Sequence, residues 1–326
     1  MIMAAVAFLL GLILCLLFGV PYIDWLKKHM IGQYIKDVAP EAHAKKQGTP
    51  TTGGVFIITA AILASIVVLM MAQRLTTTAF IVLITFLFYT LAGFQDDYIK
   101  LKGKGNDGLS PRGKLLRQIA IALLPAMYVM MNYTTGSIIN FGHFELDLKW
   151  LYPFFAIFVI TGASNAYNLT DGLDGLAAAT GMFPFAICSI IALYSGYPEV
   201  AIISAAVAGA LVGFLRYNKP KAQVFMGDTG SLAIGGLLGT LAVMGKFEIL
   251  LIFLGAVFVI ETLSVIIQVT SYKLTGKRVF KMSPIHHHFE LCNWSEKKIV
   301  VVFSIFSLIC SLIAAGIFYL TMKGFI

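Results

Sequence analysis

Ten apolar stretches, each close to the length of a bilayer crossing, constrain this chain more than any other feature. They run over Met3–Tyr22, Val55–Ala72, Thr78–Phe94, Leu115–Met131, Tyr152–Leu169, Leu176–Tyr194, Val200–Leu215, Ser231–Met244, Phe247–Tyr272 and Ile299–Met322. A helix needs roughly 20 apolar residues to cross the hydrocarbon core. In lipid every backbone N–H and C=O must be satisfied internally, so such runs must be helices. Only 12% of the 326 residues are charged and the mean hydropathy is +0.86, against about 25% charge in soluble domains. The expected fold is an all-α integral membrane protein with about ten spans. It forms one polytopic domain over residues 1–326, because no connector is long and polar enough for a soluble domain.

Charge gives the expected orientation. One set of alternate connectors carries 20 of the 24 lysines and arginines; the other carries only Arg74, Lys149, Lys246 and Lys323. Basic loops stay in the cytoplasm, which puts both termini outside. The first run lacks a basic leader and a small-x-small cleavage pattern, so a retained span is expected rather than a signal peptide. The connector Asn132–Trp150 holds two alternating stretches around Asn140–His143, the pattern of a small extracytoplasmic β-hairpin. Cys15, Cys188, Cys292 and Cys310 are scattered without CxxC spacing, so neither a disulfide framework nor a zinc site is expected.

The carboxylates at helix ends fall on the expected cytoplasmic side. Asp96-Asp97 follows the third run, and two adjacent carboxylates there call for a cation or a shifted pKa; beside a phosphate, oxygen ligands suit magnesium. A solvated helix end explains the pair equally well. Asn168-Leu169-Thr170-Asp171-Gly172-Leu173-Asp174-Gly175 joins the fifth and sixth runs. Asp171 and Asp174 share a face if the segment is helical, and a plain Asp-capped turn is the competing explanation. Phe225-Met226-Gly227-Asp228-Thr229-Gly230-Ser231 precedes the eighth run. Asp228 or Thr229 can cap that helix, whose N-terminus attracts anions, and Phe225 can stack on a base. Lys45-Lys46-Gln47-Gly48-Thr49-Pro50-Thr51-Thr52-Gly53-Gly54 suits a phosphate cradle or a solvated basic loop, without Walker A order. The run His286-His287-His288 is ill-suited to structural zinc, because adjacent side chains diverge and no cysteines accompany them; diphosphate recognition and local structure are the readings that remain. Glu261 and Gln268 lie seven apart on one face of the ninth run; a carboxylate within a span is a functional candidate by default, and a polar contact to a neighbouring helix is the competing explanation.

In order, His43-x-x-Lys46-x-Gly48-Thr49-Pro50-Thr51, Asp96-Asp97, Asn168–Gly175, Phe225–Gly230 and Pro284–Glu290 resemble the motifs of the polyprenyl-phosphate N-acetylhexosamine-1-phosphate transferases. The segment Pro284-Ile285-His286-His287-His288-Phe289-Glu290 is similar to the phospho-N-acetylmuramoyl-pentapeptide transferase branch. Thr52 departs from the methionine that many members carry. The resemblance implies transfer of phospho-MurNAc-pentapeptide from UDP-MurNAc-pentapeptide to undecaprenyl phosphate. UMP is released and lipid I forms, in peptidoglycan synthesis at the bacterial cytoplasmic membrane. It also implies Mg2+, a cytoplasmic-facing cleft, a broken ninth helix splayed into lipid, and often a homodimer. No nucleic-acid partner is expected.

Carried over residue by residue, the resemblance implies Asp228 as metal ligand, Asp96 and Asp97 at the lipid phosphate, and His286 with His287 and His288 at the diphosphate. Phe225, Asp174 and Lys100 would hold the uridine. Lys46, Lys104, Asn168, Asp171, Asn218 and Gln268 would complete the polar lining. The nearest alternative is a transferase using UDP-GlcNAc, against which the three histidines argue. A transporter is the alternative of another class, but transporters place ionisable groups near the midplane and often repeat their halves.

Overall fold

The computed structural model describes residues 1–29, 48–103, 108–141 and 144–325. Its helices are α1 (Ile2–Lys28), α2 (Gly54–Met71), α3 (Thr77–Lys102), α4 (Pro111–Asn132), α5 (Tyr152–Thr170), α6 (Leu176–Tyr194), α7 (Pro198–Asn218), α8 (Gly227–Met244), α9 (Leu251–Leu254), α10 (Ala256–Thr275), α11 (Ile285–Glu290) and α12 (Glu296–Met322). Among the described residues nine of these are long and apolar enough to cross a membrane: α1 to α4, α6 to α8, α10 and α12. The tenth expected span is α5, a 19-residue helix. Its lower apolarity traces to Ser164, Asn165 and Asn168, which turn toward other helices rather than lipid.

The termini follow local rules. Ser110 accepts from Gly113 N ahead of α4, with Pro111 in its first turn, and Thr76 and Ser295 cap α3 and α12 in the same way. The bundle wraps around α8, of whose apolar stretch 89% is buried, with α7 at 83%. Small residues in both helices let backbones approach where side-chain hydrophobicity gives no drive against lipid.

Between α4 and α5, β1 (Ile138–Phe141) pairs antiparallel with β2 (Phe144–Asp147), Ile138 opposite Asp147. This is the expected hairpin, and it stands at the end of the bundle away from Asp96 and Asp228. Its base is fastened where Lys246 Nζ donates to Gly136 O at 3.2 Å and pairs with buried Glu248 at 3.2 Å. Glu248 also accepts from Tyr152 Oη at 2.5 Å.

Two boundaries differ from the expectation. The helix carrying Asp96 and Asp97 does not stop before them: α3 continues to Lys102, because both carboxylates find partners inside the bundle and need no solvent. The ninth run is not continuous. It divides into α9 and α10 at Gly255, and α10 leaves Ile260, Leu263, Ile266, Ile267 and Val269 uncovered. All four cysteines are free.

Candidate active site

Where α3 ends and α8 begins, the two backbones nearly touch. A Cβ on Gly93 would lie 2.2 Å from Asp228 O, so only glycine permits this approach. One turn later on α3, Asp97 reaches the first turn of α8. Its Oδ1 accepts from Asp228 N at 3.0 Å. Its Oδ2 accepts from Thr229 N at 2.9 Å and Thr229 Oγ1 at 2.6 Å. The cap of α8 is therefore a carboxylate from another helix. The expectation that Asp228 or Thr229 caps it is corrected, since α8 begins with no side-chain cap of its own.

Freed from capping, the Asp228 side chain becomes the hub. Its Oδ2 accepts from Lys100 Nζ at 2.8 Å and Lys114 Nζ at 2.9 Å, and its Oδ1 from Asn168 Nδ2 at 2.7 Å. Asn168 Nδ2 also donates to Ser231 Oγ at 2.8 Å. Asp96 Oδ1 accepts from Leu109 N at 2.8 Å. Its Oδ2 lies 2.6 Å from Lys100 Nζ without an aligned hydrogen bond. Carboxylate oxygens of Asp96, Asp97 and Asp228 lie within 4.8 Å of one another. A cavity of about 480 Å³ opens beside them, lined by Asp96, Lys100, Lys114, Gln118 and Asn165 among others.

This donor set fits a divalent cation. Three carboxylates face two ammonium groups, so negative charge is left over. The donors are oxygens, as hard cations require, and Asp96 Oδ2 has lone-pair capacity to spare.

Lys114 was not among the residues singled out from sequence. A signal existed: it stands in the first turn of α4, where the helix dipole disfavours a cation. A lysine placed there needs a partner elsewhere, and Asp228 supplies it.

The turn after α5 departs from the helical reading. Residues 171–175 form turns, with Gly175 at φ +80, so Asp171 and Asp174 do not share a helix face. Asp171 is half-buried near the cluster. Burial, then the charges of Asp228, Asp97 and Asp174, push its carboxyl well above the usual carboxylate range. Asp174 is buried and turned the other way, its Oδ2 accepting from Lys221 N at 3.1 Å and Ala222 N at 3.0 Å.

Several other expected ligand residues brace loops in this structure. Asn218 accepts from Gly175 N at 3.0 Å and donates to Val224 O at 2.9 Å. Gln268 Oε1 accepts from Val279 N and Phe280 N, and its Nε2 donates to Phe280 O. His288 Nδ1 accepts from Lys281 N at 3.1 Å. Phe225 is half-buried, and its backbone pairs with Pro50 and Gly53, tying the Gly/Thr-rich turn to the start of α8. His286 is fully buried under Gly172 with Glu261 beside it, and His287 pairs with Glu290. Lys46 and Lys104 lie outside the described residues.

The sequence profile described as glycosyl transferase family 4 matches residues 79–246, which takes in α3 through α8 and the whole carboxylate cluster. Three proteins named phospho-N-acetylmuramoyl-pentapeptide-transferase align over nearly the full length. That of Bacillus subtilis (strain 168) is 46% identical over 90% of this chain and 91% of its own length. That of Oceanobacillus iheyensis is 47% identical over 97% of both. That of Bacillus velezensis is 45% identical over 90% of this chain and 91% of its own. On the strength of that similarity, and with the conserved-profile region coinciding with the carboxylate–lysine cluster, the chain belongs to the phospho-N-acetylmuramoyl-pentapeptide transferase family of bacterial membrane transferases.

Proposed function

We propose that this protein transfers phospho-MurNAc-pentapeptide from UDP-MurNAc-pentapeptide to undecaprenyl phosphate, releasing UMP and forming lipid I. The observation that carries the reading is the convergence of Asp96, Asp97, Asp228, Lys100 and Lys114 from three helices onto one point. A phosphate oxygen of the acceptor attacks the phosphorus that bears the sugar. The bond from that phosphorus to the bridging oxygen breaks, and the electron pair leaves with UMP. Both reactants are anions, so catalysis rests mainly on positioning and on opposing charge.

Lys100 and Lys114 offset negative charge on the phosphates. Asp97 holds the first turn of α8, so that its Asp228 carboxylate stays in register. Asp96, less fully hydrogen-bonded than Asp97, faces the cavity and orients the acceptor phosphate. Asp228 with Asp96 and Asp97 would hold Mg2+, which when bound supplies further positive charge at the diphosphate. The last turn of α5, with Asn168, and the following turn, with Asp171, form the donor side, with His286 behind them. Phe225 would border the uridine, with Asp174 bracing the 221–222 backbone nearby. The bias of lysines and arginines to one set of loops supports a cytoplasmic site with both termini outside. A homodimer rests on the family resemblance alone.

Detergent-purified protein given undecaprenyl phosphate and Mg2+ is expected to release UMP from UDP-MurNAc-pentapeptide and not from UDP-GlcNAc. Release from UDP-GlcNAc alone would reassign the donor. Solute transport by reconstituted protein without UMP release would reject the enzyme.

A further inference from the structure

The membrane-spanning helix α10 buries a carboxylate that the reaction outlined above does not use. Glu261 is 0% exposed, as is His286 on the short helix α11. His286 Nδ1 lies 3.1 Å from Glu261 Oε2. None of the two carboxylate oxygens and two ring nitrogens makes an aligned hydrogen bond among the described residues, so the two side chains meet as a close contact. A carboxylate within a span is costly unless paired, and among the described residues His286 is the one candidate partner.

The far side of the imidazole is equally constrained. His286 Nε2 faces Gly172, where a Cβ would stand 2.3 Å from it. Gly172 belongs to the turn that joins Asn168, which donates to Asp228, to Asp174, which holds the 221–222 backbone. Three elements thus stack in line: the α10 carboxylate, the imidazole, and the backbone of the Asp171–Gly172 turn.

We propose that Glu261 is a positioning residue for the transfer reaction, acting through His286 on the Asp171–Gly172 turn. At 3.1 Å, Glu261 Oε2 is within reach of a proton on Nδ1, and accepting it fixes the imidazole tautomer and ring orientation, as carboxylates do behind other functional histidines. The ring then presents Nε2 to the turn, and the turn keeps Asn168 and Asp171 aimed at the Asp228 cluster. The inference rests on the proposed transferase reading for its kinetic test and on geometry alone for its spectroscopic one.

Two variants carry the test. Glu261→Leu keeps the side-chain volume and removes the acceptor; Glu261→Gln keeps an acceptor without the charge. Turnover is normalised to folded, monodisperse protein. Glu261→Leu is expected to lower kcat about 10- to 100-fold, the range for loss of an orienting carboxylate. KM for the donor is expected to change less than about threefold, with Glu261→Gln intermediate. In 15N-histidine-labelled protein without substrate, the signal that disappears in His286→Asn is expected to report a protonated Nδ1, and to shift in Glu261→Leu. Wild-type kcat per folded molecule in Glu261→Leu, or a His286 signal indifferent to the substitution, would overturn the proposal. An inactive parent protein whose His286 signal still responds to Glu261→Leu would indict the transferase reading and leave the pairing intact.

Discussion

Asp96 and Asp97 are neighbours in sequence, yet the structure predicts that their amide variants fail in different ways. Asp97→Asn removes an ionised acceptor that receives two backbone N–H groups and a hydroxyl, at 3.0, 2.9 and 2.6 Å. Asparagine offers one oxygen, and its NH2 points a donor at donors. Hydrogen bonds to charged groups contribute about 1.5–3 kcal/mol each, and a negative charge at a helix N-terminus adds roughly 0.3–1 kcal/mol or more when buried. Keeping about one of the three bonds leaves a net loss of about 3–7 kcal/mol. Asp96 receives a single backbone bond, from Leu109 N, which an asparagine oxygen can keep, and Lys100 loses Asp96 but retains Asp228, so Asp96→Asn costs about 1–2 kcal/mol. Thermal unfolding in detergent, followed with turnover, separates the two. Both variants are expected to lose activity, but only Asp97→Asn should show a large fall in melting midpoint. Equal midpoints for the two variants would refute the assignment of Asp97 as the cap of α8.

Gly93→Ala places a methyl carbon against Asp228 O and is expected to cost about 1–3 kcal/mol through overpacking; turnover should fall because α3 and α8 separate, and an active, stable variant would contradict the close approach. Lys114→Gln removes one of two ammonium groups on Asp228 Oδ2 and is expected to lower kcat at least about tenfold, in the range for loss of one charge-stabilising donor; unchanged turnover would exclude Lys114 from the site. Asp171 has a raised pKa in the folded protein, so its contribution is fully present below the unfolded value of about 3.9 and is lost as pH rises through the folded value. Asp171→Asn should therefore unfold at a higher temperature than the parent protein at alkaline pH, with the gap closing in acid; a gap that widens in acid would reverse the assigned sign.

The architecture was legible because lipid imposes a simple rule: apolar runs and the alternation of basic loops follow from backbone and charge solvation, residue by residue. The site was legible as a list, since Asp96, Asp97, Asn168 and Asp228 all stand out as polar groups at helix ends. Their division of labour was not. A cap supplied across the bundle, as Asp97 supplies it to α8, leaves no local spacing to read. The same holds for Lys114, whose partner lies more than a hundred residues along the chain. Asp174, Asn218 and Gln268 carry side chains suited to a ligand, and in this structure they hold backbone amides and carbonyls of neighbouring loops. Composition alone cannot distinguish those two uses of the same groups.

The helix break at Gly255 was hidden for a related reason. Hydropathy registers only that Phe247–Tyr272 is apolar, and a glycine within such a run stops a helix only when the packing on its two sides differs. Here α9 packs against α12 and α6, while α10 packs against α5 and, through Glu261, approaches His286 of α11.

Titration of purified protein with Mn2+, a paramagnetic stand-in for Mg2+ read by electron paramagnetic resonance, bears most directly on the carboxylate cluster. One bound ion per chain is expected in the parent protein, with that signal abolished in Asp228→Asn while the melting midpoint stays within a few degrees. Undiminished binding by a well-folded Asp228→Asn variant would mean that these three aspartates are not where the cation sits.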